Sequence, residues 1–250
     1  NLMKKSVRLH ISGAVQNMFF EQFMKENTKK LNVRGFMRKL QFENGKYYHV
    51  YNRGVDKRSI VQDENDLKRF LLSLQEFNCI EPIGSLYAHC FRKKKQPLRD
   101  SVPQKLVHII CYCVNPNHFH LILEQCIERG VEKFMHKLGS GYTTYFNKRH
   151  KRSGALFQGQ YKAILIDSDT YLLHASAYVN LNNKAHQLQS VLFRSSWKEY
   201  IKDTENFCKK DAVLSQFTNG AAYKSFAERA LRDIIERKEY QALQKELVEI

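Results

Sequence analysis

Two histidines stand one residue apart, at His118 and His120, in an apolar segment that follows the turn-forming run 115–117. Side chains alternate across a β-strand, so two residues at this spacing lie on one face while Phe119 points to the other. Two neighbouring imidazoles supply half of a metal site. Histidine pairs also occur in ordinary strands, so the motif indicates metal chemistry only when further ligands accompany it.

Side chains that could act as a further metal ligand and as a nucleophile occur downstream, in residues 169–182. Ser168 or Asp169 is suited to cap a helix, and apolar residues follow at helical spacing. Tyr178 and Asn182 stand one helical turn apart, which places their Cβ atoms roughly 6 Å from each other on one helix face. The pattern therefore predicts that a phenol and an amide oxygen converge on a metal held by the two histidines.

Tyr142 and Tyr145 lie beside basic residues and are the strongest alternatives to Tyr178 as a nucleophile. The residue one helical turn after them is a phenylalanine in one case and an arginine in the other, and neither is a metal ligand. Only Tyr178 of these three is followed at that spacing by an amide, Asn182. The spacing therefore favours Tyr178.

The segment His118-Phe119-His120 resembles the His-hydrophobe-His motif of the HUH single-strand nucleases, and Tyr178-x-x-x-Asn182 resembles the tyrosine helix of their single-tyrosine transposases. The runs 154–163 and 177–182 are similar to those of the REP-associated tyrosine transposases, and the likeness extends over about residues 45–217. The resemblance implies a transposase-type endonuclease and strand transferase that acts on single-stranded or hairpin DNA.

The resemblance also implies a mechanism and a cofactor. Tyr178 is expected to attack a DNA phosphodiester and form a 5′-phosphotyrosine, and His118, His120 and Asn182 are expected to bind a divalent metal. The ligand types alone leave the metal open, because two imidazoles suit Zn, Ni or Mn, whereas Mg prefers oxygen. The family implies Mg or Mn, and we expect weak, exchangeable binding from three ligands of which two are neutral nitrogens.

The charge of the chain agrees with a nucleic-acid partner. Lysine and arginine total 41 against 25 acidic residues, which gives a formal net charge of +16 and a pI near 9.6. Such a balance favours phosphate-rich partners over neutral metabolites. Two basic runs concentrate the charge, at 92–95 and 148–152, although each is equally compatible with a solvated loop. The predicted DNA contacts are Arg149, Lys151, Arg152, Gln158 and Lys162.

The order of the predicted elements indicates an α+β fold of the ferredoxin-like type, βαββαβ, with a central antiparallel sheet. The family resemblance implies the same architecture, with the histidines on a central strand and the tyrosine helix packed nearby. We assign residues 43–200 to this domain. The predicted strands are 46–52, 106–114, 118–124 and 161–166, and the predicted helices before the tyrosine helix are 63–77 and 130–148.

The two ends of the chain fall outside this domain. Residues 7–40 resemble the first half of an acylphosphatase, and we assign residues 1–42 to a βαβ appendage of this type. Glu21 and Lys39 stand where that family has its phosphate-binding arginine and its asparagine, so we do not expect acylphosphatase chemistry. Residues 201–250 predict C-terminal helices that pack on the domain, with contact to DNA or to a partner as the alternative.

The predicted compartment is the cytoplasm, in association with the nucleoid. No apolar stretch approaches the ~20 residues that cross a bilayer, and the beginning of the chain lacks the pattern of a signal peptide. The six cysteines contain no Cys-x-x-Cys pair, so we expect them to be reduced and to serve packing.

Three other functions remain open at the level of sequence. A catalytically silent or domesticated nucleic-acid-binding protein would keep the charge without the reaction. An HUH replication initiator or relaxase usually adds a third histidine, a second tyrosine or a helicase segment, and no P-loop pattern occurs here. An RNA-binding module fits the charge but leaves the spacing of Tyr178 and Asn182 unexplained.

One tyrosine forms one covalent link at a time, so a homodimer is one way to complete a transfer.

Overall fold

The computed structural model describes residues 40–81, 83, 86, 104–185, 191–202 and 206–248, with side chains described as far as residue 236 in the last helix. All the elements below belong to the unit Phe42–Ile250. The predicted N-terminal appendage and the basic run 92–95 lie outside the described residues, and they stay predictions.

A five-stranded antiparallel sheet forms the centre of this unit, with the strand order β4-β1-β3-β2-β5. The strands are β1 (Tyr47–Arg53), β2 (Val107–Val114), β3 (His118–Gln125), β4 (Lys162–Ile166) and β5 (Arg194–Ser195). The helices are α1 (Glu64–Glu76), α2 (Gly130–Arg149), α3 (Asp169–Asn180), α4 (Asn182–Ala185), α5 (Trp197–Lys202), α6 (Asp211–Leu214) and α7 (Gly220–Val248). The first four strands with α1 and α2 follow the order βαββαβ, which confirms the predicted ferredoxin-like fold.

Side-chain alternation divides the sheet between two cores. On one face, Phe119 packs against Phe70, and Phe70 against Tyr142, with ring centroids 5.4 and 4.7 Å apart, beneath α1 and α2. On the other face, Ile122 and Val179 belong to a second core beneath α3 and α7. Because His118 and His120 alternate with Phe119, they lie on the face that α3 covers, as the sequence predicts.

The tyrosine helix is shorter than predicted. It begins after Ser168, whose hydroxyl accepts the N–H of Tyr171 at 3.3 Å, and it ends at Asn180. Asn182 therefore opens α4 instead of continuing α3. At the break the side chain of Asn180 bonds to Ser196 at 2.6 Å and to Tyr223 at 2.9 Å, and these partners lie too far along the chain for a local pattern to indicate.

Strand β5 is also absent from the prediction, because two residues carry no readable alternation. The cysteines behave as expected in the described part of the chain, where all five are free. The sixth, Cys90, lies outside it. Among the described residues, no helix combines the length and the apolar character needed to cross a membrane.

Glu199 is a carboxyl buried beside the sheet, where its Oε1 accepts from the Tyr112 hydroxyl at 3.1 Å and from Asn206 at 2.8 Å. Burial raises the pKa of Glu199 above its ordinary value of 4.5. A carboxyl with a raised pKa stabilises the fold most below that ordinary value, and this stabilisation is lost as the pH rises through the raised pKa.

We therefore expect Glu199→Gln to reduce the loss of stability between about pH 5 and pH 8, because glutamine has no charge to bury. Urea unfolding of both proteins at the two pH values measures this difference. Equal losses in wild type and variant would show that Glu199 does not contribute to the pH dependence.

Candidate active site

The four side chains that the sequence singles out lie together on the α3 face of the sheet. His118 Nε2 is 2.9 Å from Asn182 Oδ1, and the rings of His118 and His120 have centroids 5.3 Å apart. The Tyr178 ring meets His120 edge-on at 5.5 Å. The structure thus brings these residues together, and their chemical roles stay predictions.

Tyr178 is held above the histidines by the packing of α3. Its neighbour Val179 is fully buried in the core between α3 and the sheet, which fixes the rotation of the helix. Burial raises the pKa of Tyr178 to about 12, and contact with the Asn182 side chain opposes this shift. At neutral pH the phenol is therefore protonated.

The tautomer of His118 follows from its neighbours. Its Nδ1 lies 2.6 Å from Asn117 Oδ1, an oxygen that can only accept, so Nδ1 carries the proton. Burial lowers the pKa of His118 despite the opposing effect of Asn182, which keeps the ring neutral near pH 7. Nε2 then carries a lone pair that faces the lone pairs of Asn182 Oδ1 at 2.9 Å. Two acceptors this close need a shared donor or a cation between them.

His120 is supported from behind by His49 on β1. His49 Nε2 lies 2.9 Å from His120 Nδ1, and the two rings are stacked with centroids 5.1 Å apart. Burial lowers the pKa of His49 to about 4, so it is neutral at physiological pH. When His120 donates its Nδ1 proton to His49, its Nε2 carries the lone pair, which is the tautomer that binds a metal.

The donor set fits a weakly held divalent metal. Across the described ranges, no cluster of three or more histidines, cysteines or acidic residues is placed to hold a metal ion. Among the described residues, a third protein ligand beside the two histidines would be a neutral oxygen such as Asn182 Oδ1. Two imidazoles and an amide without a carboxylate suit Mn²⁺, and Mg²⁺ when water completes its shell.

The two competing tyrosines lie on the opposite side of the sheet, on α2. The hydroxyl of Tyr142 donates to the carbonyl of Ile60 at 2.7 Å inside the first core. Tyr145 hydrogen-bonds with Asp66 at 3.2 Å. Neither ring faces the histidines, so the fold favours Tyr178 among the three tyrosines.

The predicted DNA contacts fall into two groups. Arg149 is held by carboxylates, with its Nη1 2.7 Å from Asp66 and its Nη2 2.6 Å from Asp63, so its guanidinium is already occupied within the fold. Asp66 is completely buried, which makes Arg149 its counterion. These ion pairs favour a structural role for Arg149, and its contact with DNA stays a prediction. The basic run does not indicate these two partners, which lie far away in the sequence at the start of α1.

The other candidates remain available at the surface. Lys151, Gln158 and Lys162 are exposed, while Arg152 is half-buried with its guanidinium 5.6 Å from the ring centre of Phe146. Lys162 and His120 both lie opposite Tyr51, on either side of β1, so Lys162 shares the face of the histidines.

Sequence reasoning missed three polar residues of the cluster: His49, Arg53 and Asn115. Arg53 lies directly opposite His118 in the antiparallel pair, and its guanidinium donates to Gln158. The alternation of side chains along β1 could have indicated His49 and Arg53, because His49, Tyr51 and Arg53 occupy one face of this strand. Asn115 has the appearance of an ordinary turn residue in the sequence, and only the fold places its side chain between His118 and Asn182.

The salt dependence of DNA binding distinguishes Arg149, which is held in ion pairs, from a surface cation such as Lys162. We expect Arg149→Ala to lower the stability of the fold, because it removes the counterion of Asp66, and to leave the salt dependence unchanged. Lys162→Ala should reduce the slope of log affinity against log salt by about 0.7, the contribution of one contact to a single-strand phosphate. Fluorescence anisotropy with a labelled hairpin measures the slope. A reduced slope for folded Arg149→Ala would return Arg149 to the DNA interface.

Comparison with known proteins adds to this geometry. One solved structure, of a REP-associated tyrosine transposase bound to a REP hairpin, is similar over 68% of this chain and 86% of that chain, with 14% sequence identity and a TM-score of 0.42. No curated protein matches the chain. Residues 85–182 match the family described as "Transposase IS200 like", and this range contains His118, His120, Tyr178 and Asn182. The family match confirms the resemblance to single-tyrosine transposases that the two motifs indicate.

Proposed function

We propose that the protein is a transposase-type endonuclease and strand transferase for single-stranded or hairpin DNA. The observation that supports this most directly is the convergence of the Tyr178 ring with His118, His120 and Asn182 on one face of the sheet. The match of residues 85–182 to IS200-like transposases supports the same conclusion.

The proposed reaction exchanges one phosphate ester for another. The hydroxyl oxygen of Tyr178 attacks the phosphorus and forms a new O–P bond, while the bond between phosphorus and the 3′ oxygen breaks. The phenolic proton is lost, and the leaving oxygen gains a proton to become a 3′-hydroxyl. The product is a 5′-phosphotyrosine. Because one ester replaces another, the same groups can run the step backwards and rejoin strands without ATP.

The chain must compensate for a weak nucleophile. A phenol with a pKa of about 12 is almost entirely protonated at neutral pH, so attack requires stabilisation of the charge that develops on the phosphate. His118, His120 and Asn182 would hold a divalent cation, Mg or Mn, which would polarise a non-bridging phosphate oxygen. His49 orients His120, and Asn117 orients His118, through the nitrogen of each ring that faces away from the cluster.

The DNA backbone would approach along the edge where β1 and β4 carry their cations. Arg53 and Lys162 lie on the histidine face of neighbouring strands, and Gln158 contacts Arg53. Lys151 and Arg152 precede the loop that carries Gln158 and add positive charge there. We propose that these residues bind phosphates of an unpaired strand, because a phosphate in a regular duplex cannot reach groups recessed beneath a helix.

Hairpin oligonucleotides with unpaired flanks provide the test. The protein is incubated with Mg²⁺ or Mn²⁺ and strands labelled at either end, and the products are separated under denaturing conditions. We expect a covalent protein–DNA adduct that carries only the label on the 3′ side of the cut, together with a released fragment ending in a 3′-hydroxyl. Binding without cleavage would instead support a silent or domesticated DNA-binding protein.

Two further experiments test the remaining alternative functions, an RNA-binding module and a replication initiator or relaxase. Competition between RNA and DNA hairpins tests the RNA-binding module, which predicts that RNA displaces DNA. Cleavage of origin-like or plasmid substrates in preference to hairpins would favour an initiator or relaxase.

Action on chromosomal DNA implies the cytoplasmic, nucleoid-associated location, and a homodimer would supply the two active sites that complete a transfer.

A further inference from the structure

The side chain of Asn115 occupies the centre of the cluster, although no part of the proposed reaction uses it. It is completely buried at the end of β2. Its Nδ2 lies 2.9 Å from His118 Nε2 and 2.8 Å from Asn182 Oδ1. With the 2.9 Å between those two atoms, the three form a nearly equilateral triangle.

In this arrangement the Asn115 amide occupies the lone pairs that a metal needs. A neutral imidazole with its proton on Nδ1 has a single in-plane lone pair, on Nε2. Both acceptors lie within hydrogen-bond distance of Asn115 Nδ2, so the amide hydrogens of Asn115 serve two buried acceptors at once. A cation can reach His118 only if the Asn115 N–H withdraws from it.

A half rotation of the carboxamide would convert this obstacle into a ligand. Neighbouring ligands of an octahedral ion with bonds of 2.0–2.1 Å are separated by about 2.9 Å, which is the spacing of the three atoms here. An oxygen in place of Nδ2 would complete one triangular face of such a shell. Amide oxygens are acceptable ligands for both Mg²⁺ and Mn²⁺.

We propose that Asn115 is a further metal ligand of this site, whose carboxamide donates to His118 and Asn182 without metal and turns to present Oδ1 when a divalent cation binds. This inference rests on the proposed function, because it assumes that His118 and Asn182 bind the metal. The protein then has two satisfied states of the same cluster, one closed by hydrogen bonds and one by coordination.

The surroundings of Asn115 permit the rotation at small cost. Its Oδ1 accepts only a thiol contact in the described structure, from Cys113 Sγ at 3.7 Å. A thiol is a weak donor and its sulfur a weak acceptor, so either end of the amide can face it. The backbone is held separately, because the Asn115 N–H donates to the carbonyl of His118 at 2.8 Å. The rotation therefore involves the side chain alone.

Metal affinity of Asn115 variants tests the proposal without reference to DNA cleavage. Isothermal titration calorimetry or the electron paramagnetic resonance signal of free Mn²⁺ gives the Kd. Asn115→Asp places a carboxylate oxygen at the ligand position, and we expect Mn²⁺ to bind about tenfold more tightly. Asn115→Leu fills the same volume without a ligand, and we expect binding to weaken about tenfold. Thermal unfolding of each variant establishes that it is folded.

Asn52→Asp is the matched control for added charge. Asn52 lies on β1 beside the cluster, but its side chain alternates to the other face, so its carboxylate cannot reach the metal. Its Mn²⁺ affinity should remain close to that of the wild type. If Asn52→Asp tightens binding as much as Asn115→Asp, long-range charge accounts for the effect and the proposal is wrong.

The remaining outcomes separate this inference from the proposed function. If folded Asn115→Asp and Asn115→Leu both keep wild-type affinity while His120→Ala loses Mn²⁺ binding, the metal site stands and Asn115 is not a ligand. Weakened binding in both Asn115 variants would overturn the proposal as well, because it would assign Asn115 a positioning role. Absence of Mn²⁺ binding in the wild type would reject the metal site itself.

Discussion

Tyr178→Phe should abolish the covalent protein–DNA adduct and leave hairpin binding unchanged. Phenylalanine keeps the ring that meets His120 and His49 edge-on and loses only the oxygen that would attack phosphorus. Removal of a nucleophile that forms the covalent intermediate lowers the rate by more than about 10³-fold. Denaturing gels measure the adduct, and anisotropy at the same metal concentration measures binding.

The matched control is Tyr145→Phe, which removes the phenol of another half-buried tyrosine on the other side of the sheet. We expect this variant to form adducts at the wild-type rate, because Tyr145 faces Asp66 and α1. Adduct formation by Tyr178→Phe at a comparable rate would move the nucleophile to another residue. Loss of adduct in both variants with loss of binding would point to a folding defect.

His120→Ala should remove nicking that depends on a divalent metal, and a chelator should do the same to the wild type. The expected loss is large because His120 is one of only two nitrogen ligands in the proposed set. His49→Leu should weaken metal binding by a smaller factor, about 10- to 100-fold, because it leaves the ligand and removes the partner that sets its tautomer. Nicking rates measured across a range of Mn²⁺ concentrations separate the two effects.

His136→Ala is the control for loss of an imidazole. His136 is exposed on α2, beyond the opposite face of the sheet, so its removal should change neither nicking nor metal dependence. Excess Mn²⁺ should restore activity to His49→Leu and not to His120→Ala. Undiminished nicking by His120→Ala, or nicking that persists in the presence of a chelator, would reject the proposed metal site.

Local patterns account for the parts of the site that lie close together in the chain. Alternation on β3 places His118 and His120 on one face, and the spacing of Tyr178 and Asn182 predicts their proximity correctly, although the helix ends between them at Asn180. The strand and helix order also predicts the ferredoxin-like sheet. In each case the information comes from the spacing of nearby residues or from the order of the elements along the chain.

Contacts between distant segments explain what the sequence did not reveal. His49 meets His120 only because β1 pairs with β3 in one register, and that register is invisible until the strand order is known. Asn115 has the local signature of a turn. Arg149 lies in a basic run typical of a nucleic-acid contact, yet its partners Asp63 and Asp66 lie at the start of another helix, α1. Contacts between residues that are distant in the sequence determine the surroundings of these three side chains.

Mass spectrometry of the trapped adduct locates the attacking residue directly. After nuclease trimming and trypsin digestion, the fragment 163–184 contains both Tyr171 and Tyr178, and fragment ions distinguish between them. We predict a nucleotide linked through its 5′ phosphate to Tyr178. A nucleotide on Tyr171, Tyr142 or Tyr145, or an adduct that carries none on tyrosine, would contradict the proposed reaction.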